Sequence, residues 1–273
     1  MQRRDVAKAL TLGGAALIAA GTTQGVTTAR AQAATKSRLA RILERGTVRV
    51  GTTGDFNPMS FRDPGSNEYK GFDISAMEQL AKDLGIKVEW VATDWAQLIA
   101  GIAADRFDIF AGGSSINMAR ARTAAFTVPY IEAGTVPLSL KANASRFSSW
   151  DAINAAGVRV AVSMGTVFEE QAKRHFPKAE IKSVQTPATG YQEVLAGRAD
   201  VTITSNIEAS TLVKRFEQLV VDVQGAEMRN KRPFAYVVGQ DDFAWQSCLN
   251  TWIALKKSEG LFDELERTWL LRA

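Results

Sequence analysis

Several residues of this chain carry groups suited to holding or protonating an anion, and they follow runs of strand-forming residues. Arg120 lies five positions beyond Ser115, after the small-residue stretch Gly112-Gly113-Ser114-Ser115. The amides and hydroxyls of such a stretch can hold an anion. A guanidinium nearby can fork onto a carboxylate. The competing expectation, a solvated surface arginine, fits Arg122 better than Arg120. Gly165-Thr166 opens a second helical segment, whose free first-turn amides attract a carboxylate. Thr166 also suits an N-cap, with Glu169 three residues on to complete a capping box. Asp55, Phe56, Phe61 and Trp95 come from the loops and helix starts after the first two strand-like runs. Aromatic rings there can sandwich a ligand while a carboxylate orients it, or Phe56 and Phe61 can close the loop onto the core. Asp94 suits an N-cap before Trp95. Glu208 follows the strand-like run 201–204. Desolvated, it would titrate high and act as an acid, but its spacing favours a solvated first-turn glutamate stabilised by the helix dipole.

Other chemistries are excluded by what the chain lacks. One histidine and one cysteine, Cys248, cannot build a usual zinc site or an internal disulfide. There is no Walker-type phosphate loop. We therefore expect neither metal nor cofactor. Cys248 falls in an amphipathic pattern and is expected as a buried apolar thiol.

The elements that position these groups alternate. Strand-like runs at 47–51, 87–91 and 107–111 are separated by helical patterns at 75–84 and 95–104, with a loop at 52–61. Strands at 157–161, 179–184 and 201–204 are likewise separated by helices at 166–175 and 191–196. Helices at 243–258 and 261–271 close the chain. Such βαβα order implies a mostly parallel sheet covered by helices. The plan also recurs: Gly157-Val158-Arg159-Val160-Ala161 echoes Thr47-Val48-Arg49-Val50-Gly51, and Gly197-Arg198-Ala199-Asp200-Val201 echoes Asp105-Arg106-Phe107-Asp108-Ile109. Two tandem α/β units leave a crevice at the C-terminal ends of their strands, where ligands usually sit.

The first residues carry an address. Arg3 and Arg4 precede an uncharged stretch over 9–28 that ends on Ala31-Gln32-Ala33, the pattern of a cleaved signal peptide. The paired arginines and weakly hydrophobic core point to the twin-arginine route, with cleavage after Ala33. Arg3, Arg4, Lys8 and Arg30 against Asp5 carry +3 of the chain's +4, so the remainder is near +1. No basic stripe is left for a nucleic-acid partner, and no apolar run beyond the signal is long enough for stable membrane insertion.

Several ordered segments resemble the family 3 bacterial solute-binding proteins, which include the polar amino-acid receptors of ABC importers. They are 45–51 to Asp55, Gly71-Phe72-Asp73, Arg106-Phe107-Asp108, Ser115-Ile116 with Arg120, and 126–130. The resemblance implies a periplasmic-binding-protein type II fold, an α/β architecture of two Rossmann-like lobes joined by a two-segment hinge. Lobe 1 would span 34–132 plus 236–273 and lobe 2 133–235, with crossings near 130–135 and 232–236. It implies that Arg120, Ser115 and Thr166 hold a ligand carboxylate, that Trp95 is an aromatic wall of the cleft, and that an ABC importer permease is the partner; Ser114, Asp55 and Phe56 are expected as further ligand contacts from their own positions. Ser205 stands where the amino-acid receptors carry an aspartate for the ligand's ammonium group, and it is expected among the ligand-binding residues. Segments 41–44, 52–56, 115–117 and 207–209 are similar to the periplasmic cyclohexadienyl dehydratases of the same fold. That likeness implies Glu208 as a general acid acting on prephenate or arogenate, although Thr135 stands where a lysine would be. The leading expectation is a periplasmic receptor for a small carboxylate or amino-acid-like solute, with the dehydratase as the alternative.

Overall fold

The computed structural model describes residues 36–271. The export signal read over 1–33 lies outside them. Two sheets form the frame. The first has the strand order Lys87–Ala92, Thr47–Thr52, Ile109–Phe110, Val237–Val238, Ala125–Phe126. The second runs Glu180–Val184, Arg159–Ser163, Val201–Ser205, Ile131–Leu140, Leu219–Val221, with Arg229–Phe234 also paired to Ile131–Leu140. Pairing is parallel among the first three strands of each sheet. It is antiparallel where the chain returns. Each sheet belongs to one lobe, and the chain passes between the sheets after Phe126 and again after Phe234.

The expected helices form, with shifted ends. The first covering helix starts at Phe72 rather than 75 and buries Ala76, Met77 and Leu80 on the sheet. Gly85 ends it in the left-handed conformation, where its amide reaches Ala81 and Lys82 carbonyls. The second is only Leu98–Ala103, because the Asp94 carboxylate accepts from Gln97 N at 2.8 Å and holds 95–97 as a turn. The presumed loop at 52–61 contains two short strands, Asp55–Phe56 and Ser60–Arg62, which join Tyr69–Lys70 in a third small sheet. Phe61 rests edge-on against Trp269 rather than in the cleft. The long C-terminal helix Phe243–Ser258 buries Trp245, Leu249, Trp252 and Ile253. Cys248 is half-buried at the margin of that face rather than enclosed. Among the described residues no helix is long and apolar enough to cross a membrane.

The sequence echo between the two halves corresponds to a repeated contact. Asp108, at the entry of the Ile109–Phe110 strand, accepts from Arg49 N and Arg49 Nη2, each at 2.8 Å. Asp200, at the entry of Val201–Ser205, accepts from Arg159 N and Arg159 Nη2, each at 2.9 Å. One carboxylate thus bridges two neighbouring parallel strands in each lobe, taking both a backbone and a side-chain donor. At Asp108, burial opposes ionisation, but the hydrogen bonds and charge of Arg49, with Arg45, outweigh it and hold the carboxyl below its ordinary range. At Asp200 the hydrogen bond from Arg159 is the main cause of the same shift. Asp108 and Arg49 are 1% and 21% exposed, against 12% and 41% for Asp200 and Arg159, so the first pair is the more consequential. Breaking a buried pair leaves its partner charge uncompensated. Asp108→Ala should therefore lower the unfolding free energy by about 3–5 kcal/mol. Asp200→Ala should cost clearly less, both measured by urea denaturation at neutral pH.

Candidate functional site

The crevice between the sheets is lined from both lobes. Asp55, Phe56, Trp95, Gly113, Ser115 and Arg120 come from the first; Ser163, Thr166, Phe168, Thr189, Tyr191, Thr202, Thr204 and Glu208 come from the second. Its free volume is about 30 Å³, room for roughly two waters, because side chains meet across it.

Arg120 is placed by the short helix Met118–Ala121, whose N-cap Asn117 accepts from Arg120 N at 2.8 Å. Its guanidinium donates from Nη1 to Ser114 Oγ and from Nη2 to Gly165 O, both at 3.0 Å. Gly165 belongs to the other lobe. The residue is 9% exposed. Among the described residues no carboxylate pairs with it; Glu170 acts on it only at a distance. Burial lowers its pKa to about 10, and the charge of Arg232 adds to that. Arg120 therefore stays protonated at neutral pH, satisfied only by neutral acceptors.

Two glycines allow the loops this close. Gly113 has φ +74, and a Cβ there would sit 2.6 Å from the Phe56 ring. Gly165 has φ +75, and a Cβ would sit 2.5 Å from Ala96 N. Thr166 caps the helix Val167–His175, accepting from Glu169 N at 3.3 Å. The expected capping box is altered, since the Glu169 carboxylate accepts from Gly165 N at 2.7 Å and so fixes the tip of the loop.

Glu208 occupies the first turn of Asn206–Arg215, but it is buried, not solvated as its position suggested. The turn points inward at the crevice end of the strand, and its carboxyl accepts from Thr204 Oγ1. Burial pushes it up to about 8, against the Thr204 hydrogen bond, and the Asp55 charge adds to the rise. At neutral pH it carries its proton. Asp55 is held by Trp95 Nε1 at 2.9 Å and, from the opposite lobe, by Thr186 Oγ1 at 2.8 Å. Phe56 packs edge-on to Trp95 and against Phe168 of the facing lobe.

The structure brings Asp55, Phe56, Trp95, Ser115, Arg120, Thr166 and Glu208 together. Two expected ligand residues are placed differently. Ser114 is fully buried behind Arg120 and serves it as an acceptor. Ser205 does not line the cleft; as the N-cap its hydroxyl accepts from Glu208 N at 3.0 Å, so it shapes the turn that aims Glu208. Ser163, Phe168, Thr189, Tyr191 and Thr202 were not anticipated. Thr202 shares a strand face with Thr204 by the period of two. Residues 186–191 follow the Glu180–Val184 strand, where a crevice loop was to be expected.

The model of the bacterial extracellular solute-binding proteins, family 3, matches residues 48–272. Cyclohexadienyl dehydratase of Pseudomonas aeruginosa is 35% identical over 237 residues, covering 87% of this chain and 87% of that protein. The L-cystine-binding protein TcyJ of Escherichia coli is 27% identical, covering 85% of each. The crystal structure of the ancestral amino acid-binding protein AncCDT-1, described as a precursor of cyclohexadienyl dehydratase, superposes with a TM-score of 0.80 at 36% identity, over 86% of this chain and all of that one.

The raised carboxyl has a consequence for stability. Between its unfolded value near 4.5 and its folded value near 8, Glu208 binds its proton more tightly in the folded than in the unfolded chain. Stability falls as pH rises through that window. Glu208→Gln should therefore be more stable than the parent at alkaline pH. The gain should grow from acid pH up to about pH 8 and then level, with a ceiling of roughly 5 kcal/mol, read from urea denaturation at several pH values.

Proposed function

The chain belongs to the bacterial extracellular solute-binding proteins of family 3, and on that footing we propose that it captures a small carboxylate or amino-acid-like solute between its lobes for delivery to an ABC importer. The observation that carries this is the Arg120 guanidinium, nine-tenths buried, facing the cleft with no carboxylate partner among the described residues. A ligand carboxylate supplies the counter-charge. It would take over the bond Arg120 now makes to Gly165 O and gain Ser115 and the Thr166 helix start beside it. Asp55 stands near the other end, where it can accept from an ammonium group, and Phe56 and Trp95 wall the space between.

Entry needs the lobes to part, because Arg120–Gly165 and Asp55–Thr186 bridge them. The two crossing segments are the natural hinge, dividing 34–132 plus 236–273 from 133–235. Export to the periplasm by the twin-arginine signal over 1–33 completes the proposal. The amino-acid-binding names among the relatives support the ligand class.

A second activity is favoured by one observation. Glu208 is an enclosed acid that is protonated at neutral pH and lies inside the cleft. Such a group can protonate a leaving hydroxyl. With prephenate or arogenate anchored on Arg120, the C–O bond breaks as Glu208 gives up its proton. Water leaves, the ring carboxylate departs as carbon dioxide, and its bonding pair completes the aromatic ring. The 35% identity to a cyclohexadienyl dehydratase supports this route.

Two measurements separate the activities. In the receptor, amino acids or dicarboxylates raise the melting temperature of the mature chain saturably without turnover, and Arg120→Ala abolishes the shift. A shift that survives Arg120→Ala would place the anion end elsewhere. In the enzyme, prephenate yields phenylpyruvate, Glu208→Gln abolishes the yield, and the rate falls as pH rises through about 8, where the acid form is lost. No phenylpyruvate alongside a saturable amino-acid shift ends the enzymatic proposal.

A further inference from the structure

Behind the cleft lies a second buried carboxyl group that binding does not use. Asp73, in the first turn of the Phe72–Leu84 helix, is wholly inaccessible to solvent. Its Oδ2 accepts from Gly113 N at 2.6 Å and from Tyr130 Oη at 2.8 Å. Its Oδ1 and the Tyr236 hydroxyl are buried without hydrogen-bond partners. Tyr130 lies on the first passage between the sheets and Tyr236 on the second, and their rings stack with centroids 4.5 Å apart. Three otherwise separate segments therefore converge on one carboxyl group.

The segment bearing Gly113 is the one that backs Arg120. Ser114 Oγ accepts from the guanidinium. Ser114 O in turn accepts from Ala235 N at 3.0 Å, and Ile116 N donates to Pro233 O at 3.0 Å, so the second passage runs alongside the loop. Ser115 bridges to Phe234 on the same stretch. The first passage joins it through Tyr130 N, which donates to Phe234 O at 3.0 Å.

We propose that Asp73 is a positioning residue for the cleft: its carboxyl group sets the shape of the 112–115 loop behind Arg120 and ties that loop to both passages between the lobes. An ionised Asp73 accepts more strongly from Gly113 N than a neutral one, so its protonation state reaches Ser115 and Arg120 through the loop. Burial raises its pKa to about 7, against the hydrogen bonds from Tyr130 and Gly113. The titratable side chains that face it are Tyr130 and Tyr236. Burial lifts both well above their ordinary range, so they stay neutral while Asp73 titrates. The cleft thus has two settings near neutral pH, selected from behind rather than by the groups that touch ligand.

The inference takes the cleft as the ligand site, and its test needs no ligand, so the two can fail separately. ¹⁵N-labelled protein carrying Glu208→Gln, which removes the other carboxyl titrating nearby, is followed by NMR across the neutral range. The amides of Gly113 and Ser115 and the Nε–H of Arg120 should share one transition with a midpoint near pH 7. Asp73→Asn should abolish it. Tyr130→Phe removes a donor to the ionised form and should move the midpoint upward. Should Asp73→Asn not fold, the Tyr130→Phe midpoint decides alone. A transition at Gly113 without Ser115 and Arg120, a midpoint that Tyr130→Phe leaves in place, or no transition would each overturn the proposal.

Discussion

An arginine taken out of water keeps its proton, and the interior must accommodate the charge. Arg120 is the clearest instance of that constraint in this molecule. Its two hydrogen-bond partners, the Ser114 hydroxyl and the Gly165 carbonyl, are neutral dipoles. They orient the guanidinium without cancelling it. The surrounding features follow from holding such a group ready. Gly113 and Gly165 adopt left-handed turns that bring two backbones close. Glu169 fixes the Gly165 amide from behind. The second passage between the sheets hydrogen-bonds to the 112–116 stretch, through Ala235 N to Ser114 O and Ile116 N to Pro233 O.

Against this fixed cation stands a carboxyl group of the opposite disposition. Glu208 is kept neutral near pH 7 by the same withdrawal from water that leaves Arg120 unneutralised. The two ends of the cleft are thus set by one physical cause acting on groups with opposite charged forms. A neutral acid is a poor acceptor for an ammonium group and a good donor to a hydroxyl or carboxylate. On the proposed receptor function, Asp55, tied to Trp95 and Thr186, would be the one of the two to take a positive ligand group.

Much of this was legible in the chain. The βαβ order, the paired lobes and the meeting of Ser115, Arg120 and Thr166 in one cleft follow from turn chemistry and from the rule that crevices form at strand ends. The echo of Arg49 and Asp108 in Arg159 and Asp200 was visible as spacing, and its meaning as a strand-bridging ion pair was not. Burial was the hardest property to read. Glu208 has the spacing of any solvated first-turn glutamate, and only the neighbouring strand and the facing lobe show that the turn points inward. Ser205 caps its own helix for a related reason: a short polar side chain at a helix start serves its own backbone first. Ser163, Phe168, Thr189 and Tyr191 join Arg120 in one cleft lining only when the second lobe faces the first.

The strand-bridging pairs have an evolutionary consequence. Asp108 and Asp200 sit where their strands begin, while the cleft residues sit where strands end. What keeps each sheet in register is therefore spatially separate from what selects the chemistry. A lineage can exchange residues at the cleft, as at position 204 or 208, with the bracing at the far ends of the strands untouched. Inheritance of the frame and divergence of the task are decoupled within the same few strands, which gives a binder and a catalyst a common body to descend from.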